Sequence, residues 1–380
     1  NPHADRSEPY GPEERSILDS RMNQEAFREI SSWKGYEPTP LIDLPGLARR
    51  LGIGFLWYKD EGSRLGLGSF KALGGAYGVL RVLKEEVRGA GLGVPSSAEL
   101  LAGGYRELVR GVTVTCASLG NHGRSVARGA AMFGCRAVVF LPQGTAADRV
   151  DAIQRLGGKV ETVIGSYDDA LAEAARRAEQ EGWLVVSDTA YPGYEEIPRR
   201  IMHGYTVMAR EAMGQLPEGH RPSHLFLQGG VGGLAAAMTG YFWEALGPAR
   251  PVVVVVEPAE ADCLMESALV GQLSPSKGNL QTALSCLACR DPSPVAWKIL
   301  RTGADAFLTV ADHSAQETVE MLERGVDGDP PIRSQPSGVA GLTGLISAVF
   351  EPTLAGPLGL GEESIVMVVG SEGPPGPSGS

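Results

Sequence analysis

The sequence predicts an α/β protein built on two open, mostly parallel sheets. Three observations carry that prediction. Residues 112–188 alternate short β-branched runs with helical stretches, the pattern of repeated βαβ units. A second alternating block begins near residue 225. Within it, Val252–Val256 is an unbroken run of valine, as expected of a strand buried on both faces in a parallel sheet.

In the first block, Val112–Ala117 reads as a strand because valine and threonine alternate, and the Ala-rich stretch His122–Phe133 reads as a helix. Arg136–Leu141 follows as a strand, Ala146–Leu156 as a helix, Lys159–Ile164 as a strand, Tyr167–Gln180 as a helix and Trp183–Ser187 as the closing strand. In the second block, Leu225–Leu227 leads through a Gly-rich turn into the helix Leu234–Leu246 and then to Val252–Val256. Strand Ala306–Val310, helices Gln316–Arg324 and Ala340–Phe350, and a last strand Ile365–Val369 complete it. Arg88–Gly104 is rich in glycine and serine and is expected to be a surface insertion. Asp327–Pro331 reads as a turn, residues 374–380 as a disordered end, and the polar first 30 residues as only partly ordered. The division expected is a large domain from residues 1–74 and 206–380 and a small α/β domain from residues 75–205.

Composition excludes several classes. The chain has 380 residues, enough for one large domain or two modest ones. An apolar fraction of 43% rules out a disordered chain. A net charge of −11 argues against nucleic acid or an anionic membrane surface as partner, since both need a basic footprint. No apolar run reaches the length of a membrane span, and no basic stretch followed by an apolar one marks a secretory signal, so a cytoplasmic protein is expected. The five cysteines are too few for a disulfide scaffold; Cys286 and Cys289 form a C-x-x-C, but no second pair completes a metal site, and no metal is expected. Glycine is in excess, at 51 residues.

Three glycine-rich segments carry chemistry. Gly66–Ala76 places Lys71 at a turn that opens a helix, flanked by Phe70, Ala72 and Leu73. Apolar surroundings lower a lysine pKa by desolvation and free the amine for Schiff-base chemistry; a snorkelling surface lysine is the plainer alternative. Ser118–Gly123 follows a strand and opens a helix, so its N–H groups suit an anion such as a substrate carboxylate, while Asn121 serves equally as an N-cap. His122 is either an acid/base or a structural ring. Gln228–Gly233 is the densest glycine cluster, between a strand and a helix, where backbone approaches closely and several N–H groups meet a phosphate.

The combination resembles the fold type II pyridoxal-phosphate enzymes, from about Thr39 to Gly373, and within them the diaminopropionate ammonia-lyase family. That likeness rests on Phe70–Gly75, Gly120–Arg124, Asp188–Ala190 with Gly193–Tyr194, Glu257–Pro258 with Ala261–Leu264, and Leu287–Cys289. It implies two α/β sheets with pyridoxal 5'-phosphate in the cleft between them. Lys71 would hold the cofactor covalently, Phe70 would pack near its ring, Asn121 would meet its 3′-hydroxyl, and Gly229, Gly230, Val231, Gly232 and Gly233 its phosphate. Ser371 would face the pyridine nitrogen; a hydroxyl there leaves that nitrogen largely unprotonated, which suits β-elimination. Ser118, Leu119, Gly120, His122, Thr189 and Tyr194 would surround the substrate, with Asp188 as acid/base.

Departures from the family sharpen the expectation. Where the ammonia-lyases have an aspartate before G-N-H-G, this chain has Leu119, which moves no proton. Gln335 replaces a glutamate of relatives, and the closing segment is Ser371–Pro375. The resemblance therefore implies a homodimeric ammonia-lyase that eliminates the β-substituent of an L-amino acid, 2,3-diaminopropionate first, without D-isomer activity. A β-replacement synthase, an L-serine or L-threonine dehydratase, and a cofactor-binding protein without catalysis are the alternatives. It also raises a disulfide between Cys263 and Cys289 at the site mouth; a reducing cytoplasm favours free thiols.

Overall fold

The structure, a computed structural model, describes residues 1–118 and 120–374. Its strands are β1 (Leu41–Asp43), β2 (Phe55–Asp60), β3 (Thr113–Ala117), β4 (Arg136–Pro142), β5 (Lys159–Val163), β6 (Leu184–Val185), β7 (His224–Gln228), β8 (Val252–Pro258), β9 (Ala306–Val310) and β10 (Ile365–Gly370). They sort into a six-stranded sheet, order β1-β2-β10-β7-β8-β9, and a four-stranded sheet, order β5-β4-β3-β6. Only β1 runs antiparallel to its neighbour. The central strands β3 and β7 are buried at every residue, as expected of strands covered on both faces.

The expected closing strand Trp183–Ser187 shrinks to β6, two residues long. Val186 N–H still donates to Thr115 O at 2.8 Å, but the N–H of Ser187 turns to the Tyr194 hydroxyl at 2.8 Å, and the chain leaves the sheet. The first 30 residues are ordered, contrary to expectation. Tyr10, Ile17 and Leu18 are buried, and the helix Ser20–Ser31 is capped by Asp19, which accepts from Met22 N–H at 2.9 Å, and buries Ala26 and Ile30. The expected insertion Arg88–Gly104 is partly helical: Ser97–Leu101 begins at a Ser96–Glu99 capping box and buries Leu100. In the turn Asp327–Pro331, the Asp329 carboxylate accepts from Gly46 and Leu47 N–H at 2.7 and 2.8 Å, capping the helix Pro45–Leu51 from across the chain. Of the expected disordered end, residues 375–380 lie outside the described residues. Among the described residues, no single helix is long and apolar enough to cross a membrane.

The helix Lys71–Gly89 is the hub between the sheets, packed against Asn121–Phe133 on one side and Glu196–Gln215 on the other. Both contacts are at backbone range. A Cβ on Gly74 would lie 2.4 Å from the Tyr205 ring, and one on Gly129 would lie 2.8 Å from Ala76 Cα. Much of the glycine excess near Lys71 thus serves helix packing.

A closed set of charges anchors the chain ahead of that helix. Lys59 and Arg64 meet Glu211 at 2.8 and 2.6 Å, and Arg64 also meets Glu61 at 2.8 Å, all four groups buried. Two cations and two anions cancel, and Thr39 O and Gln215 take further Lys59 N–H bonds at 2.6 and 2.9 Å. Removing one member leaves uncompensated buried charge, so Glu211→Ala is expected to cost about 3–5 kcal/mol in urea-unfolding experiments. An exposed-pair control, Asp327→Ala opposite Arg50, is expected to cost well under about 1 kcal/mol.

Candidate active site

The two sheets meet at a cleft of about 890 Å³, its open mouth included. Ala117 at the end of β3, Gln228 at the end of β7 and Ser371 just beyond β10 all line it, so it lies at the carboxyl ends of strands from both sheets.

Lys71 is the first residue of its helix and faces the cleft with its ammonium 5.1 Å from the Phe70 ring centroid and 5.7 Å from that of Tyr205. The local sequence suggested a purely apolar setting and a lowered pKa; the structure differs. Asp188, which follows β6, forms an ion pair with Lys71. Burial presses the lysine pKa down, but the Asp188 charge overrides it and holds the ammonium above its ordinary value. Burial likewise pushes the Asp188 carboxyl up, but the His122 ring and the Lys71 ammonium beside it outweigh burial and keep it well below the usual carboxylate range. The His122 ring lies behind: Nε2 donates to Val186 O at 2.7 Å, leaving Nδ1 buried, without a hydrogen-bond partner and 3.8 Å from Asp188. Burial lowers the His122 pKa, with the Asp188 charge opposing it.

Opposite Lys71 is the turn Gly229–Gly233. Gly230 and Gly232 adopt φ of 63° and 99°, left-handed values that favour glycine. The turn brings Gly230, Val231 and Gly233 to the cleft wall at the start of the helix Gly233–Leu246, with the Val231 N–H beside the Cys289 thiol. Gly232 itself turns away: its N–H bonds Gly229 O at 3.2 Å, and it does not line the cleft. Beneath the turn lies Glu257, whose Cγ is 2.5 Å from where a Gly229 Cβ would stand. Glu257 accepts from Leu264 and Met265 N–H at 3.0 and 2.8 Å, and burial pushes its carboxyl up to about 8.

Phe70 N–H donates to Ser371 O at 3.0 Å, so the turn before Lys71 is tied to the end of β10. Asn121 donates to Glu372 at 2.6 Å. Ser118 lines the cleft, but its hydroxyl accepts from Gly120 and Gly123 N–H, both at 2.9 Å, as a helix cap. Gly120, His122 and Thr189 also line it, whereas Leu119 lies outside the described residues. Tyr194 is displaced from the expected role: its hydroxyl bonds Val185 O and Ser187 N–H, it stacks on Tyr191, and it does not line the cleft. Gln335 bonds Gly373 O at 2.9 Å. Sequence reasoning missed Tyr167, Glu372, Cys286 and Ser337 as lining residues; Cys286 stood in the C-x-x-C, Ser337 two residues after Gln335 and Glu372 in the closing segment, whereas nothing singled out Tyr167. All five cysteines are free thiols.

These groups fit a phosphate-bearing ring. An amine stands at one end, backbone N–H groups at a helix start stand at the other, Ser371 lies on the wall, and Gln228 Oε1 is buried without a partner beside it.

Comparison with known proteins agrees. The pyridoxal-phosphate dependent enzyme family matches residues 33–369. Diaminopropionate ammonia-lyase of Escherichia coli strain K12 is 38% identical over 344 residues, 89% of this chain and 85% of that protein. The enzyme of the same name from Salmonella typhimurium is 35% identical over 370 residues, 95% of this chain and 91% of its own. The crystal structure of the Escherichia coli enzyme in complex with an aminoacrylate-PLP azomethine reaction intermediate superposes with a TM-score of 0.87 at 33% identity, covering 99% of this chain and 93% of that one.

Glu257 yields a pH signature. In the unfolded chain it ionises near its ordinary value of about 4.3, while the folded protein keeps it protonated to about 8. The folded state therefore binds the extra proton, and stability falls as pH rises between those values. Relative to Glu257→Gln, the wild-type unfolding free energy is expected to drop by up to about 1.4 kcal/mol per pH unit from pH 5 to 8 and to level off above.

Proposed function

This chain belongs to the pyridoxal-phosphate dependent enzyme family, and we propose that within it the protein is an ammonia-lyase that eliminates the β-substituent of L-2,3-diaminopropionate to give pyruvate and ammonia. The observation that carries this reading is the Lys71–Asp188 pair facing an anion cradle across one cleft. When bound, pyridoxal phosphate supplies a conjugated electron sink for the pair released as a Cα–H bond breaks. Lys71 would hold it, Gly229, Gly230, Val231 and Gly233 would donate to its phosphate, and Asn121 and Ser371 would orient its ring. With Lys71 holding the cofactor and uncharged, Asp188 would lose one of the two neighbours, His122 and Lys71, that keep its pKa low against burial, and its proton affinity would rise. The same carboxylate is thus suited to take a proton at Cα and to return one to the β-nitrogen as it leaves.

The L-restriction rests on sequence: position 119 is leucine, with no exchangeable side-chain proton, so Asp188 is left to serve one face of the substrate. Free thiols throughout accord with a reducing compartment, and we place the protein in the cytoplasm as a homodimer.

The test is pyruvate release from purified protein. Pyruvate is expected from L-2,3-diaminopropionate and not from the D-isomer, and Lys71→Ala is expected to lose both the activity and the absorbance of the lysine-bound cofactor. Turnover only with an added amine or thiol would instead mean β-replacement, D-isomer turnover would overturn the L-restriction, and a retained absorbance band in Lys71→Ala would remove that lysine from its role.

A further inference from the structure

Beside the cleft lies a second cavity of about 1250 Å³, open to solvent. The two share Gly120, Asn121, Cys286 and Glu372 as a common wall. The second is set apart by its charge, because Arg124, Arg149 and Arg155 all line it. Against these three cations stand only two lining carboxylates, Asp148 and Glu372, and burial pushes the Glu372 carboxyl up, toward its neutral form. Neither Arg124 nor Arg155 forms an ion pair with a described residue.

Two of the guanidinium groups are also placed rather than loose. Arg124 donates to Leu67 O and, at 3.4 Å, to Asn121 Oδ1. Arg149 donates to the Ser285 hydroxyl at 3.2 Å, and its stem crosses Gly120, where a Cβ would lie 3.1 Å from Arg149 Cδ. Ser285 is the neighbour of Cys286, whose thiol contacts Asn121 and Glu372 at 3.6 and 3.5 Å on the shared wall. Oriented guanidiniums are the side chains best suited to phosphate oxygens. The β-amine of diaminopropionate gives them nothing to bind, so a cationic pocket adjoining the reaction cleft is unexplained by that substrate.

We propose that this cavity is a subsite for a dianionic group on the substrate's β-carbon, and that the enzyme also eliminates phosphate from L-2-amino acid phosphate monoesters, O-phospho-L-serine being the simplest. The proposal rests on the elimination reading above. The step balances as O-phospho-L-serine plus water giving pyruvate, ammonia and phosphate. The Cα–H and Cβ–O bonds break, the Cα–H pair forms the Cα–Cβ double bond, and the Cβ–O pair leaves on phosphate. Hydrolysis then releases the nitrogen, with no oxidant or reductant.

The experiment compares kcat/KM of the holoenzyme for O-phospho-L-serine, for the uncharged ester O-acetyl-L-serine and for L-2,3-diaminopropionate, in wild type, Arg149→Gln and Arg155→Gln. The phosphate ester is expected to be preferred over the acetate ester by about tenfold or more, and each variant to shrink that ratio severalfold. Added salt is expected to shrink it as well. Arg155 is exposed, so its variant reports even if Arg149→Gln fails to fold. Pyruvate from diaminopropionate with no phosphate preference, or with a preference neither variant changes, overturns the subsite and leaves the elimination reading standing. No pyruvate from any of the three overturns both.

Discussion

A half-buried carboxylate and a half-buried ammonium tie the two sheets together at the point where chemistry would occur. Lys71 begins the helix that follows β2 of the large sheet, and Asp188 follows the edge strand β6 of the small one. Neither charge is stable alone in that setting, since desolvation works against both. Their pairing therefore couples the position of one sheet's loops to the other's. It also stores a reactive arrangement, because whatever neutralises the lysine changes the proton affinity of the aspartate. The site is a coupled pair of titrating groups rather than a lysine with a helper.

The surrounding structure removes freedom from each partner in turn. The Lys59–Arg64–Glu61–Glu211 set fixes the chain before the lysine turn, and Ser371 O receives the N–H of Phe70 just ahead of it. On the other side, the Tyr194 hydroxyl ends the β6 ladder by taking over the N–H of Ser187, so the next residue projects into the cleft. A tyrosine that touches no substrate thus decides where the carboxylate sits. Glu257 does comparable work beneath the anion cradle by filling the space a side chain at Gly229 would need.

Both sheets were legible because the central strands are rich in β-branched and apolar residues and alternate with helical stretches, as β3, β7 and β8 show. The lysine and the glycine cradle were legible because each sits at a glycine-rich turn that opens a helix, and the aspartate through the family resemblance. What stayed hidden depended on distance in space. The apolar neighbours of Lys71 in sequence gave no sign of a carboxylate arriving from residue 188. The polar first 30 residues looked loose because their few apolar side chains, Ile17, Leu18 and Ile30, pack on surfaces supplied by the rest of the chain. Tyr194 is expected as a substrate contact because its neighbours match the family pattern, while its hydroxyl bonds the backbone at Val185 and Ser187.

The backbone-range contacts at Gly74 and Gly129 have an implication for anyone reading variants of this protein. They set the height and rotation of the helix whose first residue is the reactive amine, yet they lie among the core-packed residues between helices. Added methyl groups there would displace the amine without touching the cleft. In a mutational screen such variants would score as chemically dead while still folding, and a map of intolerant positions would draw the active site larger than it is.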